Sequence, residues 1–274
     1  MSAEATSVAL PARAVPLWLS IVAGAVLVFL CLPILIVVPM SFSSAQSLQF
    51  PPPGLSLRWY GSFFTTEVWQ RAGVNSVILA TLSSTIALVL GTLAAYGLSR
   101  GKLPGRRLIE GNFMAPMIFP TIIAAVALFI VFAKTKLLGT FLGLVLAHTI
   151  LVVPYVVLIM QVAIRGFDER IEQVAMTLGA SKARVLLQIV LPNIAPSAIA
   201  AWIFAFVISF DEVVVTLFIG GTYMTIPKRM FNELIMQINP TITAVATLLI
   251  AFNLVALGLL YLLTRRGAVA KGLA

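Results

Sequence analysis

Long uncharged stretches alternate with short charged ones along this chain. The uncharged stretches are residues 17–40, 72–99, 111–133, 137–164, 194–210 and 234–264, the fifth continuing past Asp211 and Glu212 to Ile219. About 20 helical residues, rising about 1.5 Å each, cross the hydrocarbon core of a bilayer. The stretches reach or approach that length. They are continuously apolar rather than alternating, which argues against a β-barrel. The pattern predicts an all-α polytopic membrane protein with six transmembrane helices. Pro33, Pro116, Pro120 and Pro154 lie inside or at the ends of these runs and mark kinks or broken helices. The first run, followed by Ser43-Ser44-Ala45, has some likeness to a signal peptide, but it is too long for a signal h-region and reads as a span.

Two connections are long and polar. In residues 41–71, Pro51-Pro52-Pro53-Gly54 cannot continue a helix, whereas 57–64 predicts a short interfacial helix carrying Trp59 and Tyr60. In residues 165–193, Ile171, Val174, Ala175 and Leu178 recur at helical spacing and predict an amphipathic helix over about 168–178. Gly179 permits a turn. Ser181 then caps a second helix over 182–189, expected to end before Pro192. From the residues alone this connection is either a docking surface or an amphipathic loop on the membrane.

Composition narrows the class. The chain is 61% hydrophobic and 10% charged, against about 25% charged in soluble domains. That excludes an ordinary soluble protein and a disordered one. A single cysteine, Cys31, excludes a disulfide scaffold. The net charge of +9 does not imply nucleic acid, because the 18 basic residues are scattered between apolar runs without an aromatic platform. With the N-terminus inside, twelve of them face the cytoplasm: Arg13, Arg100, Lys102, Arg106, Arg107, Arg165, Arg170, Lys182, Arg184, Arg265, Arg266 and Lys271. The other six face out: Arg58, Arg71, Lys134, Lys136, Lys228 and Arg229. The bias predicts both termini cytoplasmic, although Lys134 and Lys136 run against it. The cluster from Arg100 to Arg107 reads as a positive-inside anchor. No Gly-x-x-x-x-Gly-Lys-Ser/Thr phosphate cradle is present, and one His and one Cys make no metal constellation. The chain is expected to bind no cofactor and to catalyse no reaction itself.

The connection 165–193 is also the most specific signal. Gln173-Val174-Ala175, then Gly179, then Ile189-Val190-Leu191-Pro192 resembles the EAA loop of ABC importer permeases, with Gln and Val in place of that motif's Glu and first Ala. Glu172 stands one position too early to replace that Glu. The resemblance runs from about Asn75, where Asn75-Ser76-Val77-Ile78-Leu79-Ala80 looks like the start of the permease core. Leu178-Gly179-Ala180-Ser181 is closer to polyamine-, opine- and sulfate-type permeases than to sugar-type ones, while Trp202 with Ile208-Ser209-Phe210-Asp211-Glu212-Val213-Val214-Val215, and Tyr223 with Pro227-Lys228, look like spermidine/putrescine permeases. The resemblance implies a type I ABC importer permease fold in the bacterial inner (plasma) membrane, with a cytoplasmic coupling-helix loop. It implies as partners a second homologous permease, two ATP-binding cassette ATPase subunits that hold ATP and Mg, and a periplasmic solute-binding protein, besides membrane lipid and no nucleic acid. The cargo it implies is a polyamine or related cation. The alternatives are an opine, an amino-acid derivative or an anion. A stand-alone channel or secondary transporter would favour an internal repeat, and none is clear between the two halves. A membrane enzyme or assembly factor would need clustered His, Asp or Ser.

The expected organisation is an N-terminal tail, first span and external loop over 1–71, a five-helix core over 72–264 containing the loop 165–193, and a cytoplasmic tail over 265–274. The resemblance assigns ATPase coupling to Phe167, Glu169, Ile171, Glu172, Gln173, Val174, Ala175, Leu178, Gly179, Ala180, Arg184 and Pro192, with Gly179 as the elbow. It assigns the substrate path to Asp211 and Glu212, with Trp202 and Phe206 as aromatic neighbours. An ionised carboxylate at a bilayer centre costs on the order of 3 kcal/mol and should face protein, water or substrate. Adjacent helical residues point about 100° apart, so one of the pair is expected to line the path and the other to find a partner elsewhere. His148 reads as a satisfied packing histidine, Thr247 and Asn253 as helix contacts, and Met114, Met117 and Phe119 as lipid or core residues. Gly91, Gly97, Gly139 and Gly143 read as sites of close helix approach, the last two as a small-x3-small pair. Lys228 and Arg229 are either a solvated face or a contact for the binding protein.

Overall fold

A computed structural model describes residues 16–236 and 239–272, with side chains as far as 235 and over 239–262. Arg13 lies outside the described residues, as do the side chains of Arg265, Arg266 and Lys271. The helices in order are α1 (Leu17–Ser41), α2 (Arg58–Thr65), α3 (Glu67–Arg100), α4 (Arg106–Ile118), α5 (Thr121–Lys134), α6 (Phe141–Arg165), α7 (Glu169–Thr177), α8 (Lys182–Val185), α9 (Leu191–Asn193), α10 (Ala195–Asp211), α11 (Val214–Ile219), α12 (Ile226–Met236) and α13 (Thr241–Gly272). Among the described residues, four helices, α1, α3, α6 and α13, are each long and apolar enough to cross a membrane. Two bent pairs reach that length only together: α4 with α5, and 182–193 with α10.

The breaks have local causes. Phe119 is extended (φ −79°, ψ 141°) because Pro120 crowds the residue before it, and the chain turns by 106° before α5. The third uncharged run is thus two helices rather than one straight span. Asp211 and Glu212 do not lie inside a continuous helix, as the uncharged run around them suggested. Asp211 ends α10, Glu212 is extended (φ −73°, ψ 117°), and α11 begins two residues later. The last long helix starts at Thr241, and residues 234–236 close α12 instead. Nor does the helix after Ser181 stop before Pro192. A wide π turn over Leu186–Val190 carries it through to Asn193. The wider turn gives the proline ring room against the preceding carbonyls.

The core is the packing of α3, α6 and α10. Ala87, Ala95, Val156, Met160, Ala201 and Ala205 are buried between them. At Gly91 α3 packs tightly on α6: a Cβ there would lie 2.7 Å from Cγ1 of Val156. Gly91→Leu is therefore expected to push the helices apart and cost about 1–3 kcal/mol, read as a lowered thermal midpoint in detergent. Gly139 and Gly143 serve differently from expectation. Gly139 precedes α6 with φ +73° and donates its N–H to Ile219 O at 3.0 Å, while a Cβ on Gly221 would come within 2.8 Å of its Cα. A Cβ on Gly143 would strike the Leu137 carbonyl rather than another helix. A Cβ on Gly97 would meet no atom of another described element within 4 Å, so it is not a point of close helix approach. Outside this core, α1 meets the rest chiefly at α13, and the apolar stretch that could cross a membrane has none of its residues buried.

Candidate functional site

Two regions gather the chemistry singled out from the sequence. The first lies at the end of α10. Trp202, Phe206 and Phe210 recur every four residues and so share one helical face. Trp202 and Phe206 have ring centroids 5.4 Å apart, and Phe206 stacks on Phe210 at 5.7 Å. Phe252 of α13 completes the cluster, 6.0 Å from Phe206 and 5.3 Å from Phe210. Trp202 is oriented by its indole N–H, which donates to Thr85 Oγ1 of α3 at 3.0 Å. A cavity of about 210 Å³ opens beside these rings, lined also by Ile203, Val207 and Leu259.

Asp211 follows Phe210 directly. It is exposed, and its carboxylate accepts from Asn253 Nδ2 at 3.2 Å. The other amide atom, Asn253 Oδ1, is buried and has no hydrogen-bond partner among the described residues. Glu212 turns away: its Oε1 accepts the Val215 N–H at 2.9 Å and caps α11. Trp202 and Phe206 therefore share one ring cluster; Asp211 is tied to α13 through Asn253, one residue after Phe252, and Glu212 turns to α11 instead. Phe210, Phe252 and Asn253 were not read as site residues from the sequence. The spacing of Phe210 after Phe206 was a usable signal, whereas the placing of α13 against α10 had none.

His148 is fully buried and bridges α6 to Ser209 Oγ (2.9 Å) and Thr216 Oγ1 (3.0 Å), which makes it a satisfied packing group. Thr247 bonds the Thr243 carbonyl of its own helix. Lys228 and Arg229 are already engaged. The Lys228 ammonium is buried and donates to Gly221 O (2.8 Å) and Tyr223 O (3.1 Å), and that burial lowers its pKa below the ordinary lysine value. Arg229 pairs with Glu233 and lies over the Trp69 ring. Lys228 is thus a buried charge, while the partly exposed Arg229 is held by an acid of its own helix.

The second region is the connection between α6 and α10. Asp168 caps α7 through the Arg170 N–H, and Ser181 caps α8 through the Arg184 N–H. Gly179 sits between them at φ +91°, a conformation that favours glycine. Of the apolar stripe, Ile171, Val174 and Leu178 face outward, Leu178 being 83% exposed, while Ala175 packs inward with Phe167 and Ala180. Glu169, Gln173, Arg184 and Pro192 are exposed.

Glu172 departs from that outward set. Only 2% of it is exposed, and it pairs with Arg100, the last residue of α3, at 2.8 Å. Tyr96 donates its hydroxyl to the other carboxylate oxygen at 2.9 Å. Arg100 donates as well to the Ile164 and Phe167 carbonyls, both at 2.8 Å. It is a buried junction rather than only a basic anchor at the membrane surface.

Residues 87–268 match the family described as binding-protein-dependent transport system inner membrane component. The spermidine/putrescine transport system permease protein PotC of Haemophilus influenzae is 33% identical over 240 residues, covering 87% of this chain and 93% of that protein. The putrescine transport system permease protein PotI of Escherichia coli strain K12 is 34% identical over 246 residues, covering 86% and 87%. In fold, the chain is similar to one in the crystal structure of a bacterial alginate ABC transporter in complex with an alginate pentasaccharide-bound periplasmic protein. The TM-score there is 0.66 at 15% identity, with 90% and 92% of the two chains covered. The chain thus belongs to the family of binding-protein-dependent transport system inner membrane components, as the multi-pass membrane subunit of an ABC importer for a small solute.

Proposed function

We propose that this permease imports a polyamine or a closely related organic cation, and that Asp211 with its aromatic surround is where the cation meets the path. The observation that carries the reading is a carboxylate and an amide oxygen unpartnered among the described residues, held between α10 and α13 at the end of a four-ring cluster, each following one of its rings in sequence. A carboxylate attracts an ammonium group, aromatic faces add cation–π attraction, and the methylene spacers of a polyamine suit the apolar walls. Two relatives at 33% and 34% identity bear spermidine/putrescine and putrescine in their names, which supports the same class. The working unit is this chain with a second permease, two ATPase subunits and a periplasmic binding protein. The chain crosses the membrane six times, counting each bent pair as one span, and both termini are cytoplasmic. The face Ile171/Val174/Leu178 seats in a cleft of the ATPase.

The cargo is tested by reconstituting the transporter and measuring ATP-dependent uptake of putrescine, spermidine, an opine, a neutral sugar and sulfate. Uptake restricted to the diamines and polyamines is expected, and preferential sulfate or sugar uptake would refute the reading. Topology has its own check. Ser43 is buried, so cysteines at Ser47 and Lys102 are the informative labels. Impermeant reagent added outside should reach position 47 and miss position 102; labelling of position 102 reverses the orientation.

A further inference from the structure

A loop that receives a push from an ATPase must pass it to helices it is not joined to. The chain ties α7 to α6 through Gly166, Phe167 and Asp168, and to α8 through the Gly179 elbow. Neither joint reaches α3, the helix with the most extensive packing against α6 and α10. The Arg100–Glu172 pair makes that third attachment, across 72 residues of sequence. Both oxygens of Glu172 are held, one by Arg100 and one by Tyr96, which stands one turn earlier on α3. The same guanidinium bonds the carbonyls of Ile164 and Phe167 where α6 ends. An acid buried this deeply persists only with its partners in place, and losing one leaves an uncompensated charge. The neighbouring Gln173 is exposed and neutral. Glu172, unlike the exposed Glu169 and Gln173, therefore serves the inside of the permease rather than its outer face.

We infer that Glu172 is a positioning residue which, with Arg100 and Tyr96, clamps α7 to the end of α3 so that displacement of the loop is delivered to α3. The helix then carries it inward. Thr85 lies 15 residues before Arg100, about 22 Å along the axis, and its hydroxyl holds the Trp202 indole of the aromatic face. One rigid element thus links the loop to the place proposed for the cation. This inference rests on the reading that the loop docks on an ATPase.

The test uses the complete reconstituted transporter with its ATPase and binding protein. Glu172→Gln removes the charge at constant size, and Arg100→Lys keeps the charge but loses the fork. Each is expected to lower solute moved per ATP hydrolysed by about fivefold, with basal hydrolysis and co-purification of the ATPase retained. The double variant should be no worse than the poorer single, because both disable one joint. Unchanged coupling in both singles overturns the clamp. So does loss of ATPase co-purification in Glu172→Gln, which would make the residue a docking contact. If Glu172→Gln does not accumulate, Tyr96→Phe decides, since it spares the ion pair. A loss of coupling of about twofold supports the clamp, and wild-type coupling overturns it. The docking reading is separated by crosslinking Val174→Cys to the ATPase in a Cys31→Ser background. No crosslink removes docking and clamp together, whereas a crosslink with normal coupling in Glu172→Gln and Arg100→Lys removes the clamp alone.

Discussion

Replacing Asp211 with asparagine is expected to cut putrescine and spermidine transport by roughly 10- to 100-fold while leaving protein level and basal ATP hydrolysis near wild type. Two unit charges about 4 Å apart attract by about 4 kcal/mol at the effective dielectric of a protein surface. Asp211 is exposed, so water and salt screen part of that attraction, and the expected loss is correspondingly smaller. Asparagine keeps the size and can still bond Asn253, so the change isolates the charge. Glu212→Gln is the matched control. Its side-chain oxygen can still accept the Val215 N–H, and transport should change by less than about threefold, because the Glu212 carboxylate serves a helix cap rather than the cargo. Uptake kinetics for both variants, normalised to membrane protein, decide the matter. Equal transport in wild type and Asp211→Asn would remove the acid from the path and weaken the cationic-cargo reading with it.

Gly179→Val is expected to abolish transport by about tenfold or more while ATP hydrolysis continues. The position has φ +91°, and no atom lies within 4 Å of where a Cβ would sit. Space is therefore not the obstacle; backbone strain is. A β-branched residue in that region is a genuine outlier and costs about 1–3 kcal/mol. The cheapest relief is a change of φ, which swings α7 relative to α8 and misaims Ile171, Val174 and Leu178. Gly179→Asn should be milder, since asparagine enters left-handed conformations more readily. Uptake and hydrolysis measured side by side, with immunoblots of the membrane fraction, check both variants. Full transport in Gly179→Val would show that the elbow geometry is not used.

The stretches of apolar residues were enough to establish the class, because burying so many uncharged residues is possible only in a membrane or a very large core. They also located α1, α3, α6 and much of α13 to within a turn or so. The cap at Ser181 and the turn at Gly179 were readable for a similar reason: each depends on residues within three or four positions of one another. So was the satisfied state expected of His148, since a polar ring in an apolar run must find partners.

What lay beyond the sequence depended on distance. No periodicity shows that Phe252 and Asn253 of α13 meet Phe210 and Asp211 of α10, because a uniformly apolar helix leaves its rotation to packing. The break at Asp211–Glu212 was hidden by the unbroken hydrophobicity around it and was decided by the carboxylate of Glu212, which satisfies a freed N–H. Lys228 looked like an exposed charge until two carbonyls from the preceding loop closed on it. Glu172 and Gln173 are adjacent polar residues in sequence, and only Arg100 and Tyr96, arriving from the far end of α3, turn one inward and leave the other in water. Local residue chemistry establishes where helices start and how loops bend; which of their side chains meet is set by the three-dimensional packing of helices distant in sequence.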